Sequence, residues 1–188
     1  MMVRAATPST LLRDPLLTRA AFWMCLIVAF GALLDLGALF WVWVSPDRVS
    51  TLVASRMGLS GVPLGLDEVS RSAGFGVSMV PLAVLLWALY QVFQLCRSIQ
   101  MGAVRWDIIA FRLKRVAWAM LAIAALRPLA NALLSIVLTV GSAPDERHIV
   151  VAFSTDDYMI ALVAGLIFIL GRVMREAGFV ALENQQII

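Results

Sequence analysis

Four long apolar stretches, Ala20–Val44, Gly76–Ile99, Val116–Val140 and Tyr158–Val173, constrain the fold of this chain more than any other feature. A helix needs about 20 largely apolar residues to cross a hydrocarbon core about 30 Å thick. Three of the stretches reach that length and the fourth comes close. Within hydrocarbon every peptide group must be hydrogen-bonded inside the protein, so stretches this apolar are expected to cross as helices. The composition agrees, with 62% apolar and 14% charged residues and a mean hydropathy of +0.92. A soluble domain carries about 25% charged residues. The expectation is an all-α polytopic membrane protein, a four-transmembrane-helix bundle forming a single integral membrane domain over residues 1–188. A cleavable signal peptide competes for the first stretch, but an h-region spans only about 7–15 residues. The first stretch is longer and begins behind a Thr/Pro/Ser-bearing segment, so it reads as an uncleaved span.

The charges between the spans set an orientation. Arg4, Arg13 and Arg19 precede the first span, and Arg97, Arg105, Arg112, Lys114 and Arg115 lie around the second connection. Arg172 and Arg175 follow the fourth span. The other side holds Arg48, Arg56, Arg71 and Arg147, balanced by Asp47, Asp67, Glu68, Asp145, Glu146, Asp156 and Asp157. Basic residues flanking spans stay on the cytoplasmic side, which predicts both termini and the middle connection inside. The net charge of +3 is thereby a topology signal, and no direct nucleic-acid binding is expected. Trp41 and Trp43 are expected as anchors at the outer interface and Trp23, Trp106 and Trp118 at the inner one, with Trp87 deeper.

Two ionisable residues fall inside spans. Asp35 lies about 22 Å along the first and Arg127 about 16 Å along the third, with Asn131 about 24 Å along and level with Asp35. A lone charge at a helix centre costs about 2.5–3.5 kcal/mol on insertion scales, so such groups face the bundle and find partners. The expectation is an intramembrane cluster of Asp35, Arg127 and Asn131 across the first and third spans. Pro128 removes the bond to the carbonyl of Ala124 and is expected to bend the third helix.

Chemistry-bearing patterns are otherwise sparse. Cys25 and Cys96 have neither zinc nor disulfide-framework spacing and read as small apolar fillers. His148 is the single histidine, and one histidine beside loop carboxylates is too little for an acid–base or metal site. No catalytic residue, cofactor or metal is expected. In the first outer connection Val49, Val53 and Met57 suggest a short interfacial helix, and Gly58–Gly65 a turn-rich connector. The third helix is expected to start before the membrane, with Arg112, Lys114 and Arg115 at phosphate level. The fourth is expected to continue past it as a helical tail over residues 174–188. There Phe179, Val180 and Leu182 should pack against Phe111 and Leu113 or against a partner. These features mark Arg112, Lys114, Arg115, Arg172, Arg175 and Glu183 as cytoplasmic docking candidates.

Gly102, the run Arg112-Leu113-Lys114-Arg115-Val116-Ala117-Trp118, the helix end Arg172–Glu176 and the tail Glu183–Ile188 resemble one family. It is the bacterial domain-of-unknown-function 2975 family of small four-helix inner-membrane proteins. The resemblance covers the chain from about Leu85 onward. It departs at Val104-Arg105-Trp106-Asp107, where many members carry a Phe-Thr-x-x-Asn type segment. It implies a multi-pass bacterial inner-membrane location. It also implies a gene neighbourhood with a small helix-turn-helix regulator, hence a membrane partner for a transcription factor. The leading expectation is a non-catalytic protein acting through protein–protein interaction, its partners being the bilayer and a cytoplasmic regulator. The alternatives are an accessory subunit of a larger membrane complex and a small transporter or channel using Asp35 and Arg127.

Overall fold

The computed structural model describes residues 15–53, 67–101, 106–139, 151 and 153–185. Every long element is a helix. They are α1 (Pro15–Val44), α2 (Glu68–Gln100), α3 (Trp106–Thr139) and α4 (Thr155–Gln185). Each contains a segment long and apolar enough to cross a membrane: Thr18–Val44, Glu68–Gln100, Asp107–Thr139 and Thr155–Val180. The chain is therefore a multi-pass, all-α membrane protein. Helix α3 begins ahead of its apolar stretch, at Trp106, and α4 continues beyond its own to Gln185. Helix α2 begins two turns earlier than its apolar stretch, because hydropathy reports bilayer contact and not helix length.

Neighbours in sequence are neighbours in space: α1 packs on α2, α2 on α3 and α3 on α4. Among the described residues no extensive contact joins α1 to α4. Helix α3 is the central element. A third of its most apolar window is buried, 33% against 11% for α1 and 11% for α2. Small residues allow that close packing, and Ala117, Ala119, Ala130 and, on α4, Ala164 are all buried. Gly171 of α4 serves the same purpose near the other end, where an added Cβ would stand 3.3 Å from the Cβ of Leu113.

Two apolar clusters tie the helices. At one end Trp43, Val49, Leu134 and Leu138 are buried together, with Phe75 and Val77 of α2 against them. At the other, Ala21 and Cys25 of α1 meet Cys96, with Val92, Phe93 and Ile99 alongside. Both cysteines are free and buried as expected. Trp43 departs from its expected role as an interfacial anchor. It is 6% exposed, because Gly74 leaves room for its indole ring. Trp41 remains exposed, with the Arg48 guanidinium 4.2 Å from its ring centroid.

The connection after α1 opens with a helical turn, Pro46–Arg48, that runs into a π-helical turn, Val49–Val53. Met57 and the Gly58–Gly65 connector lie outside the described residues, as do Gly102, Arg105, His148 and residues 186–188. Helix ends leave carbonyls without partners. At the C-terminus of α1, arginines supply those partners. Arg71 donates to the carbonyls of Trp43 and Val44 at 3.1 and 3.0 Å, and Arg48 to that of Trp41 at 2.9 Å. A cation at a helix C-terminus is also favoured by the helix dipole. Arg71→Ala should therefore cost about 1.5 kcal/mol in detergent unfolding, the low end for bonds to a charged donor. Arg71→Lys should recover part of it. Unchanged stability in Arg71→Ala would show that water caps the helix equally well.

Candidate functional site

Two groups of polar residues stand out, one around Arg127 of α3 and the first turn of α4, and one at the end of the bundle where α3 begins and α4 ends. In the first group the expected pair of Asp35 with Arg127 does not form. Arg127 instead donates through Nη1 to Oδ1 of Asp157 at 3.4 Å. The reason is connectivity. Helices α1 and α3 come together at the end marked by Trp43, Leu134 and Leu138 but do not pack along their lengths, whereas α4 packs directly on α3. Asp35 is exposed on α1, and no described residue pairs with it. Asn131 is half-buried one turn from Arg127 and takes no part in the ion pair.

Asp157 is the residue that sequence reasoning missed. It was counted as an acid of an outer connection, but it lies in the first turn of α4 and is 6% exposed. Its Oδ2 accepts the backbone N–H of Ser154 at 3.1 Å, while Ser154 Oγ accepts the N–H of Asp156 at 3.2 Å. This is the reciprocal arrangement of a capping box. Its signal was legible: Ser154-Thr155-Asp156-Asp157 directly precedes an apolar run. One carboxylate thus caps α4 and neutralises a mid-span arginine.

The second group surrounds a groove between α3 and α4. A cavity of about 310 Å³ is lined by Asp107, Lys114, Phe111 and Phe168, with Arg172 and Arg175 on the facing helix. Three of the sequence-derived docking candidates, Lys114, Arg172 and Arg175, thus share one cavity. Arg112 and Arg115 leave the same helix turn but do not line it. Arg112 is half-buried, and the Arg115 guanidinium lies 4.4 Å from the ring centroid of Phe111. Arg172 Nε stands 4.0 Å from Glu176 Oε1 in an exposed pair, which is worth little in itself. Glu183 lies within α4, and its side chain is outside the described residues.

The tail does not fold back as one of its expected arrangements required. Phe179 and Val180 are each 57% exposed, and Phe111 is 55% exposed. The Arg175 guanidinium covers the Phe179 ring at 5.7 Å. Chemically the groove presents cations around an aromatic floor and suits an anionic group with apolar attachment. No cluster of three or more metal-ligating side chains forms among the described residues.

Comparison with protein families gives one match: a family described as protein of unknown function (DUF2975), over residues 45–188. Comparison with curated proteins and with solved structures gives no match.

Proposed function

The chain belongs to the DUF2975 family of proteins of unknown function, and from that premise we propose a non-catalytic role, holding another protein at the basic end of the bundle. The groove between α3 and α4 carries the reading. Lys114, Arg172 and Arg175 stand around Phe111 and Phe168, and Phe179 and Val180 remain exposed close by. A partner segment that joins acidic to apolar side chains matches that surface. The positive-inside rule assigns this end to the cytoplasm and both termini with it, in a bacterial inner membrane. The partner is then a cytoplasmic protein, and the family's gene neighbourhood nominates a small helix-turn-helix regulator.

The test is co-purification of the membrane-inserted chain with a small helix-turn-helix regulator, where the genome encodes one beside it. Charge reversal by Lys114→Glu, Arg172→Glu and Arg175→Glu should lower recovery of the regulator by roughly tenfold or more, each such cation being worth about 1 kcal/mol. Membrane insertion should be unchanged. Deleting residues 178–188 should have the same effect by removing the exposed apolar side chains. Equal recovery with all three chains would exclude the groove as the docking site. It would favour the accessory-subunit reading, which draws on helix faces carrying small residues such as Gly31 and Ala38.

A further inference from the structure

Asp35 is exposed on a helix that spans the membrane, and no described residue pairs with it. A carboxylate at that depth needs a cation or a polar cavity. The same chain displays the complement. Arg127 has a side chain 39% exposed and uses one guanidinium nitrogen in its ion pair with Asp157. A guanidinium offers five donors, so capacity remains for a second carboxylate.

The two charges also lie at one depth. Trp43 of α1 and Leu134 and Leu138 of α3 share a single buried cluster, and α1 and α3 run in the same direction. Counting back along each helix, Asp35 lies about 12 Å below that cluster and Arg127 about 10–16 Å below it. Within the chain α1 and α3 do not pack along their lengths below that cluster, and Arg127 is drawn toward α4.

We infer that Asp35 is matched by Arg127 of a second copy of this chain, in a dimer whose two-fold axis runs along the membrane normal. Such an axis keeps every residue at its own depth, so unlike residues can meet across it only when their depths agree. In an isologous contact residue i meets residue j while j meets i, so one interface forms two Asp35–Arg127 pairs. The face carrying Asp35 is open for close approach. Gly31 lies one turn below it on that face, and an added Cβ there would meet nothing within 4 Å. Ala38, on the same face one turn above, is exposed.

Charge exchange between copies tests the dimer. Asp35→Arg and Arg127→Asp are made on separate chains with different tags. Each chain alone sets like charges together twice and should run as a monomer on native gels after mild solubilisation. Co-expressed, the two chains regain two opposite-charge pairs and should recover a dimer carrying both tags. Dimers of either variant alone, or no mixed dimer, would overturn the inference.

Arg127→Asp also sets a carboxylate against Asp157 and can fail to fold, so a second measurement uses cysteines. In a Cys25→Ala, Cys96→Ala background, one tagged chain carries Asp35→Cys and the other Arg127→Cys. A reducible thiol cross-linker about as long as an arginine side chain should give, in native membranes, an adduct bearing both tags, since an ion pair holds the two backbones farther apart than a direct disulfide allows. The adduct's yield should be severalfold above that from Leu33→Cys, which lies at similar depth on the opposite face of α1. Equal yields would reduce the contact to collision and overturn the proposal. A chain carrying both cysteines is the further control: a cross-link confined to that chain, with none between chains, would mean that α1 closes on its own α3 and would also overturn the proposal. Absence of any adduct would assign Asp35 to a different protein and overturn it equally.

Discussion

Asp157→Ala should lower stability in detergent by about 4 kcal/mol, because it removes the charge partner of a mid-span arginine and the cap of α4 together. Breaking a buried ion pair from one side costs about 3–5 kcal/mol through the stranded charge. The lower figure applies because the Arg127 side chain is 39% exposed and partly free to relax. The cap adds about 1 kcal/mol at most sites. Arg127→Ala should cost less, since Asp157 keeps its bond from the Ser154 N–H at 3.1 Å. Thermal unfolding of both single variants and the double variant gives the coupling. Strict additivity would show that the 3.4 Å contact contributes nothing. Asp157→Asn should fall between wild type and alanine, as it keeps an acceptor for Ser154 but loses the charge.

The second large effect is steric. A Cβ at Gly74 would collide with the Trp43 indole ring. The ring has little room to retreat. Trp43 is 6% exposed, and its own carbonyl is held by Arg71 at 3.1 Å. Overpacking of this kind costs about 1–3 kcal/mol, and Gly74→Ala should reach the upper part of that range. Gly76→Ala, two residues along α2, is the control, since a Cβ there meets nothing within 4 Å. It should be neutral or stabilising by up to about 1 kcal/mol, the helix propensity difference. Combining Gly74→Ala with Trp43→Phe should restore much of the loss by shortening the ring. Equal unfolding temperatures for Gly74→Ala and Gly76→Ala would refute the close approach of α1 and α2 at this end.

Much of the architecture was written in local properties of the chain. Four spans, the early start of α3 and the continuation of α4 follow from hydropathy and from the lack of helix breakers. Spacing alone put Asn131 level with Asp35 and Arg127 about 6 Å short of it, because it measures each helix from an assumed start. The capping box of Ser154 and Asp157 was equally legible, being a pattern within four residues. It was masked by a charge tally that treats every acid between spans as a loop acid. Arg48 and Arg71 show the same weakness of counting, since both are taken up by the C-terminal carbonyls of α1.

Only the tertiary structure decided the partners. Depth is a one-dimensional property that sequence spacing approximates, whereas adjacency depends on which helices pack along their lengths. Asp35 and Arg127 share a level, but the packing of α4 on α3 gave Arg127 to Asp157 and left Asp35 exposed. The gathering of Lys114, Arg172 and Arg175 around one groove depended likewise on the antiparallel register of α3 and α4. That register is set where Gly171 meets Leu113 and where Trp118 meets Phe168 edge to face at 6.4 Å. Trp43 was buried rather than interfacial for a similar reason: a glycine on another helix opened the space for it. Hydropathy records how much a residue favours hydrocarbon, and lipid and protein interior are alike in that respect. What separates them is the shape of the neighbouring helix, which no local pattern in this chain encodes.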